Sequence, residues 1–446
     1  MNIVLLSGGS GKRLWPLSND TMSKQFLKVL KNGDGQYQSM VQRVYDQIRG
    51  AGLDCGITVA TSTAQVDSIK NQLGDRVTVV LEPERRNTFP AIALSCAHLR
   101  EQGMSRDDVV VVLPVDPYAE QAYFETLRVI ERAVLDRAGA IVLMGVSPTY
   151  PSEKYGYIIP AAGGRDGWKP VSHFKEKPDE TDAARLISDG ALWNCGVFAF
   201  KLGYMLDLIE TKLPEATTYA ELEAQYHELP AGSFDYEVLE KADSVAVVKY
   251  SGLWKDLGTW NTLTEEMDGP VLGKNILLDE TCSNTHVINV LDIPVVVMGA
   301  RDTVVVASHD GVLVADKHQS SYIKPLADRV SRRPMYEARR WGNYRVIDCA
   351  MAEDQVKNLT RRINILAGQA LSYHRHAGQS DTWIVTAGQG ELLLDGNKIA
   401  LRQGDTVHIP AGAKHAVRAL TDLEIIEVQI GDSLSYEDKE CFEMEW

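Results

Sequence analysis

The run Leu6-Ser7-Gly8-Gly9-Ser10-Gly11-Lys12-Arg13-Leu14 ends an apolar stretch in a glycine-rich turn. Such a turn lets backbone N–H groups approach phosphate oxygens closely. Arg13 adds a planar cationic fork, and Lys24, eleven residues on, adds a second positive charge. Two common phosphate motifs are excluded by the residues themselves. A Walker A loop would need glycine at Leu6 and a hydroxyl side chain at Arg13, and the dinucleotide fingerprint would need glycine at Leu14. The chemistry indicated is the binding of a phosphorylated ligand by Gly8, Gly9 and Gly11, with Arg13 and Lys24 supplying charge.

These residues need a scaffold, and the first 265 or so residues supply its pattern. Short apolar runs recur at Ile3–Leu6, Ile57–Thr61, Val77–Leu81, Val109–Leu113 and Ala140–Met144. Amphipathic segments such as Ser39–Ile48 and Ala91–Gln102 lie between them. This rhythm predicts an α/β fold, Rossmann-like, with a mostly parallel sheet whose ligands bind beyond the carboxyl ends of the strands. From about 270 the pattern turns to Val- and Ile-rich runs with turn signals at Asp292, Gly299 and Asp310-Gly311, read as a short β linker of β-helical character. Arg329–Arg340 reads as a helix or an exposed linker. From about 343, glycines at 368, 378, 388, 390, 396, 404 and 412 break short β runs as in a β-barrel. The expected domains are 1–268, 269–334 and 335–446.

Composition narrows the function. The chain of 446 residues is long enough for two or three domains. A net charge of -15 argues against non-specific nucleic-acid binding and against adhesion to anionic membranes. The six cysteines are scattered without a CxxC pair, as expected of free thiols in a reducing cytoplasm. No run approaches transmembrane length.

Gly8-Gly9-Ser10-Gly11-Lys12-Arg13-Leu14-Trp15-Pro16-Leu17-Ser18, with Ser23-Lys24-Gln25-Phe26-Leu27, resembles the signature of mannose-1-phosphate guanylyltransferases. The resemblance is greatest to the long bacterial type, which carries a C-terminal cupin related to type II phosphomannose isomerases. Lys12 replaces the usual threonine or serine and Ser23 the usual proline; neither change removes a charged group. Further segments extend the resemblance along nearly the whole chain. Glu82-Pro83-Glu84-Arg85-Arg86-Asn87-Thr88 resembles the nucleotide-facing segment, which implies a binding role for Asn87 and Thr88. Leu113-Pro114-Val115-Asp116-Pro117 and Trp254-Lys255-Asp256-Leu257-Gly258 imply Mg²⁺ held by Asp116 and Asp256; Pro117 stands where a histidine often follows. Segments around Gly156, Glu176-Lys177 and Asn194 resemble the sugar-phosphate site.

The implied reaction transfers GMP from GTP to mannose 1-phosphate, giving GDP-mannose and pyrophosphate for polysaccharide biosynthesis. Two polyanions must meet, so fixed positive charge and a hard cation are required. Arg13, Lys24, Asp116 and Asp256 form the implied catalytic set. The partners are a nucleoside triphosphate and a sugar 1-phosphate. Transfer to another sugar 1-phosphate or from another base stays open at this point, as does a sugar-nucleotide-binding regulator. The oligomeric state is likewise open, a homodimer being compatible.

Two later stretches resemble the cupin motifs: Gly368-x5-His374-x-His376-x4-Asp381-x6-Gly388 and Gly404-x5-Pro410-x-Gly412-x2-His415. Strand alternation puts His374 and His376 on one face. With His415 and Asp381 they make a set suited to a divalent transition metal such as Zn²⁺, Mn²⁺ or Fe²⁺. Aspartate replaces the usual, longer glutamate. Gln379 stands where isomerase-active relatives carry arginine, so weak or absent mannose-6-phosphate isomerisation is expected.

Overall fold

The computed structural model describes all residues except 10, 11, 20, 166, 331, 332, 353, 354, 432, 433, 435–437 and 445. Two compact units emerge. One comprises residues 1–14, 23–269 and 320–322, the other 15–22, 270–319 and 323–446.

The first unit is built on a nine-stranded sheet. Its strands are β1 (Asn2–Leu6), β2 (Gly56–Ser62), β3 (Thr78–Glu82), β4 (Val109–Pro114), β5 (Ile141–Val146), β6 (Tyr157–Pro160), β7 (Lys169–Lys175), β8 (Leu192–Lys201) and β9 (Val245–Tyr250). They lie in the order β3-β2-β1-β4-β8-β5-β9-β7-β6. The block β3-β2-β1-β4 is parallel throughout, and β9 runs parallel to β5. Strand β8 enters antiparallel between β4 and β5, and β7 is antiparallel to both its neighbours, so the sheet is mixed. An inserted strand buried on both faces reads as the same apolar run whichever way it points, which is why the pattern suggested a mostly parallel sheet.

The helix Met40–Gly50 begins at Ser39, whose side chain accepts from the Gln42 N–H in a capping box, and it buries Val41, Val44 and Ile48. The helix Thr88–Glu101 is sunk into the core, with Phe89, Ile92, Ala93, Leu94 and Cys96 all inaccessible. It packs with β1, β4 and β8 residues, including Val4, Val110 and Phe200, in one apolar cluster.

In the second unit, the strands Val271–Gly273, His286–Asn289 and Thr303–Ser308 stack in parallel, and Gly311–Asp316 closes the ladder antiparallel. Ile276–Leu278 and Val295–Val297 form a second parallel pair. This is a short solenoid, with Val287, Ile288, Val304 and Val306 stacked inside. The loop 15–22 belongs to it: the Ser308 hydroxyl donates to the Pro16 carbonyl at 2.8 Å, and the Asn19 amide to Asp310 at 2.7 Å.

Beyond the solenoid, two sheets of six and five strands face each other in the cupin manner around Trp383, Leu392, Leu401, Val417 and Ile425. The segment Arg329–Arg340, expected as helix or linker, instead places Tyr336–Arg339 as the edge strand of the six-stranded sheet, paired with Gly342–Ala352. Among the described residues no helix is long and apolar enough to cross a membrane, and all six cysteines are free thiols.

Candidate active site

In the first unit the glycine turn follows β1 directly and is held from below by buried amides and hydroxyls. The Gln65 amide donates to the Gly9 carbonyl at 3.0 Å and to the Ser23 hydroxyl at 2.7 Å, while Ser23 donates to the same carbonyl at 2.9 Å. Gln25 reaches the Ser7 carbonyl at 3.3 Å and Gln65 at 3.2 Å. Thr61 at the end of β2 donates to the Ser7 carbonyl at 3.3 Å. Ser7, Ser23, Gln25, Thr61 and Gln65 are all buried. The turn's carbonyls are therefore consumed inward. Gly8 and Gly9 line the cleft above; Gly11 lies outside the described residues.

The cleft, a cavity of about 340 Å³, brings together Gly8, Gly9, Lys24, Thr88, Asp116, Lys154, Tyr155, Gly156, Glu176, Lys177, Asn194 and Asp235. Asp116 lies just past β4. Trp254–Asp256 pairs antiparallel with Pro117–Ala119, setting Asp256 opposite Pro117. That ribbon carries the two carboxylates to one place. The Lys24 ammonium lies 2.5 Å from Asp116 Oδ2 and 3.4 Å from Asp256 Oδ1. Burial pulls the lysine pKa down, but the two carboxylates outweigh it and hold it above the ordinary value. Tyr155 stands beside the same carboxylates; burial, then Asp256, pushes its phenol up.

Strand β8 changes register between Asn194 and Phe198, with Gly196 at φ +76°. That irregularity turns Asn194 toward the cleft. Its backbone N–H donates to the Gly156 carbonyl at 2.8 Å, its Oδ1 accepts from the Gly196 N–H at 3.1 Å, and its Nδ2 donates to Asp235 at 2.7 Å. Gly156 is needed for space: a Cβ there would sit 2.5 Å from Glu176 Oε2 and from the Phe174 ring. Glu176 pairs with the Lys177 ammonium at 2.7 Å, and Lys177 holds φ +42°, rare for a side-chain-bearing residue.

Other expected residues stand differently. Arg13 is exposed on a short 3-10 turn, close enough to Lys24 for its charge to be felt, but it does not line the cleft. Asn87, at φ +73°, spends its side-chain oxygen on the Thr88 N–H at 2.9 Å as the helix cap. Thr88 lines the cleft and accepts from the Phe234 N–H at 2.8 Å. Asp235 was not singled out from sequence. It sits in the four-residue helix Phe234–Glu237, whose single turn gives no periodic signal. Burial, then Glu176, raises its pKa to about 6.

In the second unit, His374, His376 and His415 converge with ring nitrogens within 4.8 Å of one another. His374 Nδ1 lies 2.7 Å from the Ser372 carbonyl and His415 Nδ1 3.1 Å from that of Ala413. Both contacts make Nδ1 the protonated nitrogen and leave Nε2 as the electron-pair donor. Burial lowers the pKa of His374 to about 2 and of His376 to about 4, so the rings are neutral, as ligation requires. Asp381 is not part of this three-histidine group: one oxygen lies 3.6 Å from His415 Nε2, and the other accepts from Gln379 at 3.1 Å. The Asp381 carboxylate also accepts a hydrogen bond from Gln429, opposite it on the neighbouring strand. Burial, then Glu427, raises its pKa.

A glycine turn at the carboxyl end of β1 in a mixed α/β sheet, with two carboxylates bridged by a lysine in the same cleft, is the arrangement a nucleotidyltransferase needs. The chain belongs to the nucleotidyl transferase family, whose model matches residues 2–269; a model for the C-terminal part of mannose-6-phosphate isomerase matches 327–444. It is 32% identical to the xanthan biosynthesis protein XanB of Xanthomonas campestris over 474 residues, 99% of this chain and 97% of that one. It is 29% identical to the mannose-1-phosphate guanylyltransferase ManC of Salmonella typhimurium over 481 residues, 99% and 97% of the two chains. Among solved structures, one described as a mannose-1-phosphate geranyltransferase from Thermus thermophilus superposes with a TM-score of 0.63 at 29% identity, covering 74% of this chain and 99% of that one.

Two outcomes follow from the geometry. Gln65→Ala strips partners from the Gly9 carbonyl, Ser23 and Gln25; urea unfolding should show a loss of about 1–3 kcal/mol. Asp235 has a folded pKa of about 6 against 3.8 for the free side chain, so it subtracts stability as pH rises from 3.8 to 6 and keeps doing so above. Asp235→Asn should therefore melt higher than wild type at pH 7.5, by on the order of 1–2 kcal/mol, with the gap closing toward pH 4 in thermal melts.

Proposed function

We propose that this protein transfers GMP from GTP to mannose 1-phosphate and releases pyrophosphate. The observation that carries the reading is the Lys24 ammonium held between Asp116 and Asp256 at the mouth of the glycine turn. The relatives' names supply the base and the sugar.

In this reaction a phosphate oxygen of the sugar 1-phosphate attacks the α-phosphorus of the triphosphate. The bond from that phosphorus to the bridging oxygen breaks, and the electron pair leaves with pyrophosphate. The backbone N–H groups of Gly8 and Gly9 receive phosphate oxygens, and Lys24 keeps its proton at any working pH, opposing the charge that builds on the leaving group. Lys177 attracts the sugar phosphate, and Glu176 accepts from sugar hydroxyls. Arg13, at the rim of the turn, adds attraction for the incoming triphosphate.

Asp116 and Asp256 already present oxygens to one cation, the lysine ammonium, and such an all-oxygen set fits Mg²⁺. Bound there with phosphate oxygens, Mg²⁺ would supply further neutralisation of the triphosphate. Pyrophosphate release with GTP and mannose 1-phosphate, against other nucleotides and sugar phosphates, tests the reading. Asp256→Asn should lower kcat at least ~100-fold, the equivalent of several kcal/mol of transition-state stabilisation; near-normal turnover would overturn the assignment.

In the second unit the Nε2 atoms of His374 and His415, with a ring nitrogen of His376, suit a divalent transition metal. Asp381 is held by Gln379, and no arginine stands at that position. We read this centre as metal-binding without efficient mannose-6-phosphate isomerisation. Elemental analysis should find bound metal that His376→Ala loses. Metal-loaded protein should give no fructose 6-phosphate, and conversion abolished by His376→Ala would contradict this.

A further inference from the structure

Asn194 was expected to read the sugar, yet its hydrogen bonds are largely committed. Its carbonyl oxygen accepts from the Gly196 N–H, and its amide nitrogen donates to Asp235. What remains on Asn194 is one N–H and a single lone pair on an oxygen that already accepts from Gly196, a weaker acceptor than a carboxylate. Sugar hydroxyls donate best to carboxylates, and an ionised carboxylate offers about four acceptor sites. Asp235 lines the cleft and has one oxygen engaged with Asn194 at 2.7 Å. Glu176, a further carboxylate of the cleft, has one oxygen paired with the Lys177 ammonium at 2.7 Å and shares the sugar hydroxyls with Asp235.

We infer that Asp235 is the specificity-determining acceptor for a ring hydroxyl of the sugar 1-phosphate, with Asn194 as its positioning residue. The inference rests on the sugar-phosphate transfer proposed above.

The surroundings are built to hold Asp235 still. Ser233 caps its short helix by accepting from the Tyr236 N–H. The Phe234 N–H donates to Thr88 Oγ1 at 2.8 Å, and the Phe89 N–H to the Gly232 carbonyl at 3.2 Å. The helix Thr88–Glu101 thus fixes the turn that carries the carboxylate. Burial and the nearby Glu176 charge disfavour the bare carboxylate, and a donor hydroxyl from the substrate relieves that cost. A site built this way rejects a sugar that lacks the hydroxyl, because a buried acceptor is then left unpaired.

The experiment compares wild type, Asp235→Asn and Asp235→Ala in pyrophosphate release, using GTP with mannose 1-phosphate and its 2-, 3-, 4- and 6-deoxy analogues. For Asp235→Ala the KM for mannose 1-phosphate should rise about 10- to 100-fold, the range for a hydrogen bond to a charged group, with the KM for GTP nearly unchanged. One deoxy analogue should show the same loss with wild type and no further loss with Asp235→Ala. Asp235→Asn, of the same shape, should fold normally and move in the same direction by less. An unchanged KM for the sugar phosphate would overturn the inference. So would equal losses for every analogue, or a matching rise in the KM for GTP, since a merely structural role predicts these. If wild type prefers another sugar phosphate, the proposed substrate fails, while the same series on that sugar still decides the role of Asp235. If no pair reacts, calorimetric binding of mannose 1-phosphate to wild type and Asp235→Ala decides it instead, equal affinities overturning it.

Discussion

Lys24 brings its ammonium between two carboxylates that lie 140 residues apart in the chain, and the cleft is organised around that contact. Two acids this close would repel each other in a partly dry site without a cation between them. The lysine offsets that repulsion before any ligand arrives. Its position is set by the short turn Lys24–Phe26, whose neighbours Ser23 and Gln25 are buried beneath the glycine loop. The charge cluster and the loop are thus one assembly: shifting the loop moves the lysine, and moving the lysine uncovers two negative charges.

The same interdependence appears on the sugar side. Gly156, Asn194 and Glu176 come from three strand ends, yet each constrains the next: the Gly156 carbonyl takes the Asn194 N–H, and the missing Cβ of Gly156 leaves room for Glu176. The bulge in β8 costs ladder hydrogen bonds but aims Asn194 into the cleft. Asp235, raised to a pKa of about 6 mainly by burial, is a carboxylate that the cleft carries at a cost in stability near neutral pH.

Much of this was legible in the sequence, and the reasons differ by residue. The glycine turn and its strand could be read because glycine at a strand end has few other uses. Asp116 and Asp256 could be named through the family motifs, but their convergence depends on a three-residue ribbon that no periodicity announces. The mixed sheet was hidden because apolar runs carry no direction. Asp235 was missed because a lone acid on a single helical turn looks like any cap or surface charge. In the cupin, His374, His376 and His415 were legible through the resemblance to the cupin motifs, and alternation put the first two on one face. Asp381, expected beside them, lies outside the group of three and is held by Gln379, a contact that motif spacing does not announce.

The signature loop has a further consequence. Residues up to Leu14 belong to the first unit, while 15–22 pack with the solenoid of the second: a Cβ on Gly311 would sit 2.7 Å from the Trp15 ring, and Ser308 holds the Pro16 carbonyl. No single cut of the chain separates the two units. A genetic truncation after residue 269 would therefore remove the strand end that covers Trp15, so the residues of the signature loop past Leu14 would lose their packing partners.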